Sequence, residues 1–140
     1  MTDITKADLA LLAFAREAQE KAYAPYSGFK VGAAIFAGGE IYQGCNAENA
    51  SYGATICAER GAAMAAVVAG NTFFDSIAVV GDSEDPTMPC GCCRQFLAEF
   101  NPEMRVVIGG RSDAVRVVSL DELLPEAFVA GFLDQRAPSK

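Results

Sequence analysis

Apolar residues recur at helical spacing over residues 4–22, where Leu9, Leu11, Leu12, Ala15 and Ala18 are interleaved with Lys6, Arg16, Glu17, Glu20 and Lys21. The stretch reads as an amphipathic helix packed over a sheet, with Pro25 expected to end it. Residues 30–37 form an apolar extended run, Gly38-Gly39 a two-residue link and residues 40–45 a second run, which is the pattern of a β-hairpin. Residues 57–68 are rich in alanine, lack proline and stop at Gly70-Asn71, predicting a buried helix. The short apolar run at 76–81 suits a central strand, 82–89 is an acidic turn-rich loop, and 90–100 reads as a helix with Pro102 after it. Two further strands are expected at 105–108 and 115–118, then a short helix at 120–124 and an apolar tail at 125–133. Strands alternating with helices predict an α/β fold, one domain over residues 1–134 with a sheet between helices, and a flexible tail at 135–140.

Composition narrows the function. A chain of 140 residues forms one domain that buries about 70% of its unfolded surface, and 51% apolar with 21% charged residues is an ordinary globular balance. The net charge of −7 and pI near 4.5 provide no positive field for a polyanion, so a nucleic-acid partner is not expected and a small neutral ligand is. The first eight residues carry two acids against one base, unlike a signal peptide, and no run reaches the ~18 apolar residues of a membrane span. A cytoplasmic location without a membrane partner is therefore expected. Five cysteines, an odd number, argue against a disulfide framework and for metal or redox chemistry. Histidine is absent, so an imidazole base is excluded and any metal must rely on cysteine or carboxylate.

Two motifs supply those ligands. Cys57-Ala58-Glu59-Arg60 and Pro89-Cys90-Gly91-Cys92-Cys93-Arg94-Gln95 both fall at expected helix starts, where the partial positive charge of the helix terminus favours thiolate. Cys57, Cys90 and Cys93 would give Zn²⁺ three thiolates and leave a fourth tetrahedral position open, the layout of a catalytic site. On a helix Cys90 and Cys93 face one way and Cys92 another, and Glu59 points off the Cys57 direction, beside the metal rather than on it. A carboxylate there can take a proton from water and return it to a leaving group. Arg60 and Arg94 are candidates to offset the negative charge of the thiolates. A fourth thiolate from Cys45 or Cys92 would instead close the site and make it structural. Phe29, read locally, is a core aromatic or a stacking platform, and Asn46 with Glu48 is a solvated loop or a pair sharing one face of an extended segment.

The two cysteine motifs together resemble the zinc-dependent cytidine deaminases of the short, three-cysteine type. Pro25-Tyr26-Ser27-x-Phe29-x-Val31-Gly32-Ala33-Ala34, Gly44-Cys45-Asn46-x-Glu48-Asn49-Ala50-Ser51-Tyr52 and Leu123-Leu124-Pro125-x-Ala127-Phe128 are similar to that family's other blocks, so that about residues 20–130 are covered. The resemblance implies a single three-layer α/β/α domain with a five-stranded mixed sheet. It implies one zinc ion per subunit on Cys57, Cys90 and Cys93, with Glu59 shuttling protons. The reaction implied is hydrolysis at C4 of cytidine or 2′-deoxycytidine to the uracil nucleoside and ammonia, a pyrimidine salvage step. Phe29 would stack on the base, the Ala58 N–H would meet the base carbonyl, and Asn46 and Glu48 would bind the ribose 3′-hydroxyl. The resemblance further implies a homotetramer, with Phe128 and Tyr52 reaching into a neighbour's site.

Three positions depart from the family's pattern: Gly61 where threonine is usual, Cys92 where a smaller or basic residue is common, and Gly28 beside Phe29. None is an expected ligand, but they leave room for an altered substrate, and an alternative is a deaminase of a modified cytosine nucleoside such as blasticidin S. The Asn46-x-Glu48 pair argues for a ribose-bearing substrate. The non-catalytic alternative is a structural-zinc interaction module using Cys45.

Overall fold

The computed structural model describes residues 3–137. Strands β1 (Gly32–Ala37), β2 (Glu40–Cys45), β3 (Ser76–Val80), β4 (Arg105–Gly109) and β5 (Val115–Ser119) form one sheet in the order β2-β1-β3-β4-β5. Only β3 and β4 run parallel, so the sheet is mixed. Helix α1 (Lys6–Gln19) covers one face, while α2 (Ala58–Val68), α3 (Gly91–Ala98) and α4 (Leu120–Leu123) cover the other. This is the expected three-layer arrangement, with β3 at its centre.

Strand alternation explains the layers. Ala33, Ile35 and Ala37 of β1 face α2 together with Ile77, Val79, Val106 and Ile108, whereas Ala34, Ala78, Val80 and Val107 face Leu11, Leu12 and Ala15 of α1. Both faces are thus apolar, as a sheet sandwiched between helices requires. The β1–β2 turn is built on Gly38 and Gly39, at φ 58° and 79°, the paired positive values of a tight hairpin. Close approach demands glycine elsewhere. A Cβ on Gly32 would lie 2.0 Å from the Ala15 carbonyl, and one on Gly44 would lie 2.3 Å from the Ala62 nitrogen and 2.4 Å from the Ala58 carbonyl. Gly44 therefore seats the first turns of α2 directly on β2.

Helix α1 starts in a capping box: Thr5 Oγ1 accepts from the Asp8 N–H, and the Asp8 carboxylate accepts from the Thr5 N–H. It stops at Gln19, earlier than the expected end near residue 22, and Leu9 is exposed on its outer side. The cause of the early stop is tertiary. The Tyr23 N–H donates to the Asn46 carbonyl and the Glu48 N–H to the Tyr23 carbonyl, drawing the chain out of the helix well before Pro25. Strand β1 also begins two residues later than expected, because the Lys30 and Val31 N–H groups are taken by side chains of Asp82 and Asn46. The second cysteine helix is shorter than residues 90–100, spanning Gly91–Ala98.

Of residues 125–133, Ala127 packs against the core, whereas Phe128 stacks on Phe132 at 5.7 Å and both are more than half exposed. Of the tail expected to be flexible, Gln135 belongs to the short 3-10 helix Ala130–Gln135, and residues 138–140 lie outside the described residues. No described helix is long and apolar enough to cross a membrane.

Candidate active site and metal centre

Cys57 and Cys90 occupy the N-cap positions of α2 and α3, both with extended backbone, and Cys93 sits buried in the first turn of α3. Packing of α2 against α3 brings the three Sγ atoms within 4.8 Å of one another. Tetrahedral Zn–S bonds of ~2.3 Å place sulfurs about 3.8 Å apart, so the three residues fit a zinc ion without rearrangement of the fold. Neither Cys45 nor Cys92 joins the group: the Cys45 Sγ lies 3.6 Å from the Lys21 carbonyl oxygen, and Cys92 faces solvent. The arrangement has three thiols, not four, which removes the closed structural site.

The electrostatics of the cluster are set by burial and by Arg60. The Cys57 thiol is lowered to about 5, first by a hydrogen bond from the Cys93 thiol and then, against burial, by Arg60, whose Nη2 lies 3.8 Å from its sulfur. The same sulfur contact, burial and the neighbouring Glu59 push Cys93 up. Glu59 is 4% exposed, and burial raises its carboxyl above the ordinary glutamate range, with a further push from Cys57. A carboxyl so placed is ready to hold a proton. Arg60 also donates to the Thr55 carbonyl, fixing the turn before Cys57. Arg94 is placed differently: it donates to the Pro89 and Leu123 carbonyls, bracing the approach to Cys90 against α4, with no hydrogen bond to a thiol.

Cys57, Ala58, Glu59 and Cys90 line a cavity of about 210 Å³ with Phe29, Val31, Asn46, Thr55, Val79, Thr87 and Met88. A second hollow of about 290 Å³, lined by Tyr26, Ser27, Glu48, Tyr52 and Thr55, shares Thr55 with it. The two hollows adjoin, and the Asn46 and Glu48 side chains both bond the 26–31 segment. The Asn46 amide donates to the Phe29 carbonyl and accepts from the Val31 N–H, so it is built into the cavity wall. The Glu48 Oε1 accepts from the Tyr26 and Ser27 N–H groups and its Oε2 from the Ser27 hydroxyl, and these bonds hold its pKa down. Each retains capacity, a second amide hydrogen on Asn46 and a lone pair on the Glu48 Oε2. Phe29 is 38% exposed in the cavity mouth. Tyr52 stands 75% exposed, edge-on to Tyr26 at 5.9 Å, and Phe128 is 59% exposed with its carbonyl accepting from Gln95.

Thr55, Thr87 and Met88 also line these hollows, and the sequence pattern does not single them out; Ser27, which lines the second, falls within the block around Phe29 but carries no role there. Pairing of Ser27 with Glu48 depends on the fold and has no local signal.

Three thiols and a buried glutamate at the N-termini of two packed helices, lining a small cavity with an aromatic at its mouth, make a site able to hold a zinc ion beside a carboxylate, the combination on which zinc-dependent deaminases are built. The family model for the cytidine and deoxycytidylate deaminase zinc-binding region matches residues 5–109, and the chain belongs to that family. It is 48% identical over 120 residues to the cytidine deaminase of Sporosarcina psychrophila, covering 84% of this chain and 88% of that one. Identity to the cytidine deaminase of Halalkalibacterium halodurans is 45%, over 86% of this chain and 92% of the relative. Among solved structures, cytidine deaminase from Burkholderia pseudomallei superposes with a TM-score of 0.83 at 49% identity, over 89% of this chain and all of that chain.

Proposed function

We propose that the chain is a cytidine deaminase that hydrolyses cytidine and 2′-deoxycytidine to uridine and 2′-deoxyuridine with release of ammonia, a pyrimidine salvage step. The observation that carries this reading is the buried Glu59 beside three convergent cysteines in a cavity of about 210 Å³. Cys57, Cys90 and Cys93 would hold one zinc ion per subunit. When bound, the ion supplies the Lewis acid that makes water nucleophilic near neutral pH. Glu59 takes one proton from water as its oxygen bonds to C4 and passes it to N3, then takes the second from the resulting C4 hydroxyl and passes it to the amine, so that the C4–N4 bond breaks, ammonia leaves and the C4 carbonyl forms. Burial raises its carboxyl and suits it to both roles.

The other residues bind and orient. Phe29 offers a face to the pyrimidine. The Ala58 N–H, one of the first-turn groups of α2 without an intrahelical partner, meets the base carbonyl. The spare Asn46 amide hydrogen and the spare Glu48 Oε2 lone pair engage the ribose 3′-hydroxyl, while the hydrogen bonds they already make keep both rigid. Arg60 offsets thiolate charge; Arg94 supports the Cys90 loop. A modified-cytosine substrate such as blasticidin S gains no support from these features. The whole of residues 1–134 forms one catalytic domain in this reading, placed in the cytoplasm and assembled as a homotetramer in which Tyr52 and Phe128 reach a neighbouring site. Their exposure supports that assembly.

The test is an assay of the zinc-loaded protein against cytidine, 2′-deoxycytidine, 5-substituted cytidines and blasticidin S, with ammonia and bound zinc quantified. Cytidine turnover is expected to be fastest of the panel or equal to that of deoxycytidine. Glu59→Gln is expected to lower kcat by about 10²–10⁴-fold at unchanged zinc content. Full turnover by that variant would rule out the proton shuttle.

A further inference from the structure

Residues 26–31 form no strand, yet every backbone N–H in the segment has an acceptor. Tyr26 and Ser27 donate to Glu48, Gly28 to the Ala24 carbonyl, Phe29 to the Ser27 hydroxyl, and Val31 to Asn46. The remaining N–H, that of Lys30, donates to Asp82 Oδ2 at 2.7 Å. Asp82 is the one acceptor supplied by the loop that leads from β3 to Cys90, and its other oxygen accepts from Gln19 Nε2 at 3.3 Å. That same Gln19 nitrogen donates to the Lys30 carbonyl at 3.0 Å. Lys30, the residue after Phe29, is thus clasped at both its N–H and its carbonyl, by the last residue of α1 and by a residue at the start of the loop that leads to Cys90. Further along this loop, Thr87 and Met88 line the same cavity as Phe29.

We propose that Asp82, acting with Gln19, is a positioning residue for the base: it fixes Phe29 relative to the Met88–Cys90 side of the cavity and so sets affinity for the flat pyrimidine ring. This deepens the reading of Phe29 as the base platform and rests on it. The short bond from an amide to a carboxylate is of the charge-assisted kind, roughly twice as strong as a neutral one. The loop has little freedom to compensate for its loss, because the Thr87 N–H and the Gly81 N–H both donate to the Gly109 carbonyl and the Arg111 N–H donates to the Ser83 carbonyl. Phe29 would move instead, and its ring would meet the pyrimidine less well. Neither Asp82 nor Gln19 reaches the cavity or a cysteine, so the effect falls on binding of the base and not on the metal or on Glu59.

The test is a double-mutant cycle in the zinc-loaded enzyme. Asp82→Ala is expected to raise the KM for cytidine about 10-fold with kcat changed by less than about 3-fold and zinc still at one per chain. Asp82→Asn keeps an acceptor for the Lys30 N–H and loses only the Gln19 arm, so it should recover most of the affinity. Phe29→Ala should raise KM, and adding Asp82→Ala to it should raise KM no further. Gln19→Ala opens the clasp from the helix side and is expected to raise KM in the same manner, which keeps the test open if Asp82→Ala does not fold. An unchanged KM in Asp82→Ala or Gln19→Ala, fully additive effects of Asp82→Ala and Phe29→Ala, or a fall in kcat with loss of zinc would each overturn the positioning role. No change of KM in Phe29→Ala would overturn the platform reading itself, and the proposal with it.

Discussion

Cys45 and Cys57 are both partly buried thiols packed near the start of α2, yet only one has a partner sulfur. The Cys45 Sγ contacts the Lys21 carbonyl, whereas Cys57 meets Cys90 and Cys93 across the α2–α3 contact. Cys45→Ser should therefore leave zinc at one ion per chain, and Cys57→Ser should lower the zinc content and turnover together; metal analysis of the two purified variants separates them. Asp8 is a second residue whose surroundings fix its behaviour. Its carboxylate closes the α1 capping box and accepts from Arg105 Nε at 2.8 Å and Nη2 at 2.7 Å, tying α1 to β4. The hydrogen bond from Arg105, the largest influence, holds its carboxyl below the ordinary aspartate value. Because the folded-state value is depressed, the stabilisation is complete above roughly pH 4 and fades as pH falls through the folded-state value. Asp8→Asn should cost about 1–2 kcal/mol at neutral pH, discounted for the part-exposed Arg105, and the difference from the unsubstituted protein in denaturant unfolding should shrink as the pH falls through the depressed folded-state value.

At the scale of elements, the helix that carries Cys57 and Glu59 is placed by two glycines with opposite tolerances. A Cβ at Gly44 would collide with the Ala62 nitrogen and the Ala58 carbonyl, so Gly44→Ala must push α2 off β2 and displace both site residues. A Cβ at Gly61 meets nothing closer than 3.7 Å, in ordinary contact with the Cys45 carbonyl oxygen. Gly61→Ala should thus stabilise the fold by about 0.5–1 kcal/mol through helix propensity, while Gly44→Ala should destabilise it by about 1–3 kcal/mol and lower turnover. Thermal unfolding and activity of the pair test this, and equal effects would show that α2 does not depend on the close seat. The metal helices were legible in the sequence because their signals are local: a cysteine at the N-cap, alanines after it, and a Cys-x-x-Cys spacing on a helix. The end of α1 was not, because it is imposed by pairing of Tyr23 with residues 46–48, far along the chain. The partners that orient Asn46 and Glu48 were hidden for the same reason, since Val31, Phe29 and Ser27 lie 15, 17 and 21 residues away in the chain. Arg94 stood beside a ligand in sequence, but one residue is about 100° of helix rotation, and its guanidinium turns to the Pro89 and Leu123 carbonyls.

Across the whole molecule the C-terminal segment touches the core only at its beginning, through Leu123, Leu124 and Ala127 among the described residues. The buried apolar residues end at Leu120, and beyond it Phe128, Phe132 and Leu133 stand at least half exposed on a chain with a net charge of −7. Tyr52 is 75% exposed at the rim of the hollow that holds Glu48. Exposed aromatics are the residue type that interfaces bury, which supports the proposed homotetramer, and light scattering should then give a mass four times the 14.7 kDa protomer. Site sharing makes a sharper demand than mass. If Phe128 completes a neighbour's site, Phe128→Ala should raise KM in a homogeneous preparation, and Glu59→Gln should lower turnover by about 10²–10⁴-fold in another. Co-refolded or co-expressed together, the two chains form mixed assemblies in which a protomer with intact Glu59 receives Phe128 from a Glu59→Gln neighbour. Part of the mixed sites should then show the unsubstituted KM, a component neither variant has alone. If Phe128 instead serves its own protomer, every active site in the mixture lacks it, and only the high-KM activity of Phe128→Ala remains, diluted in proportion to its share.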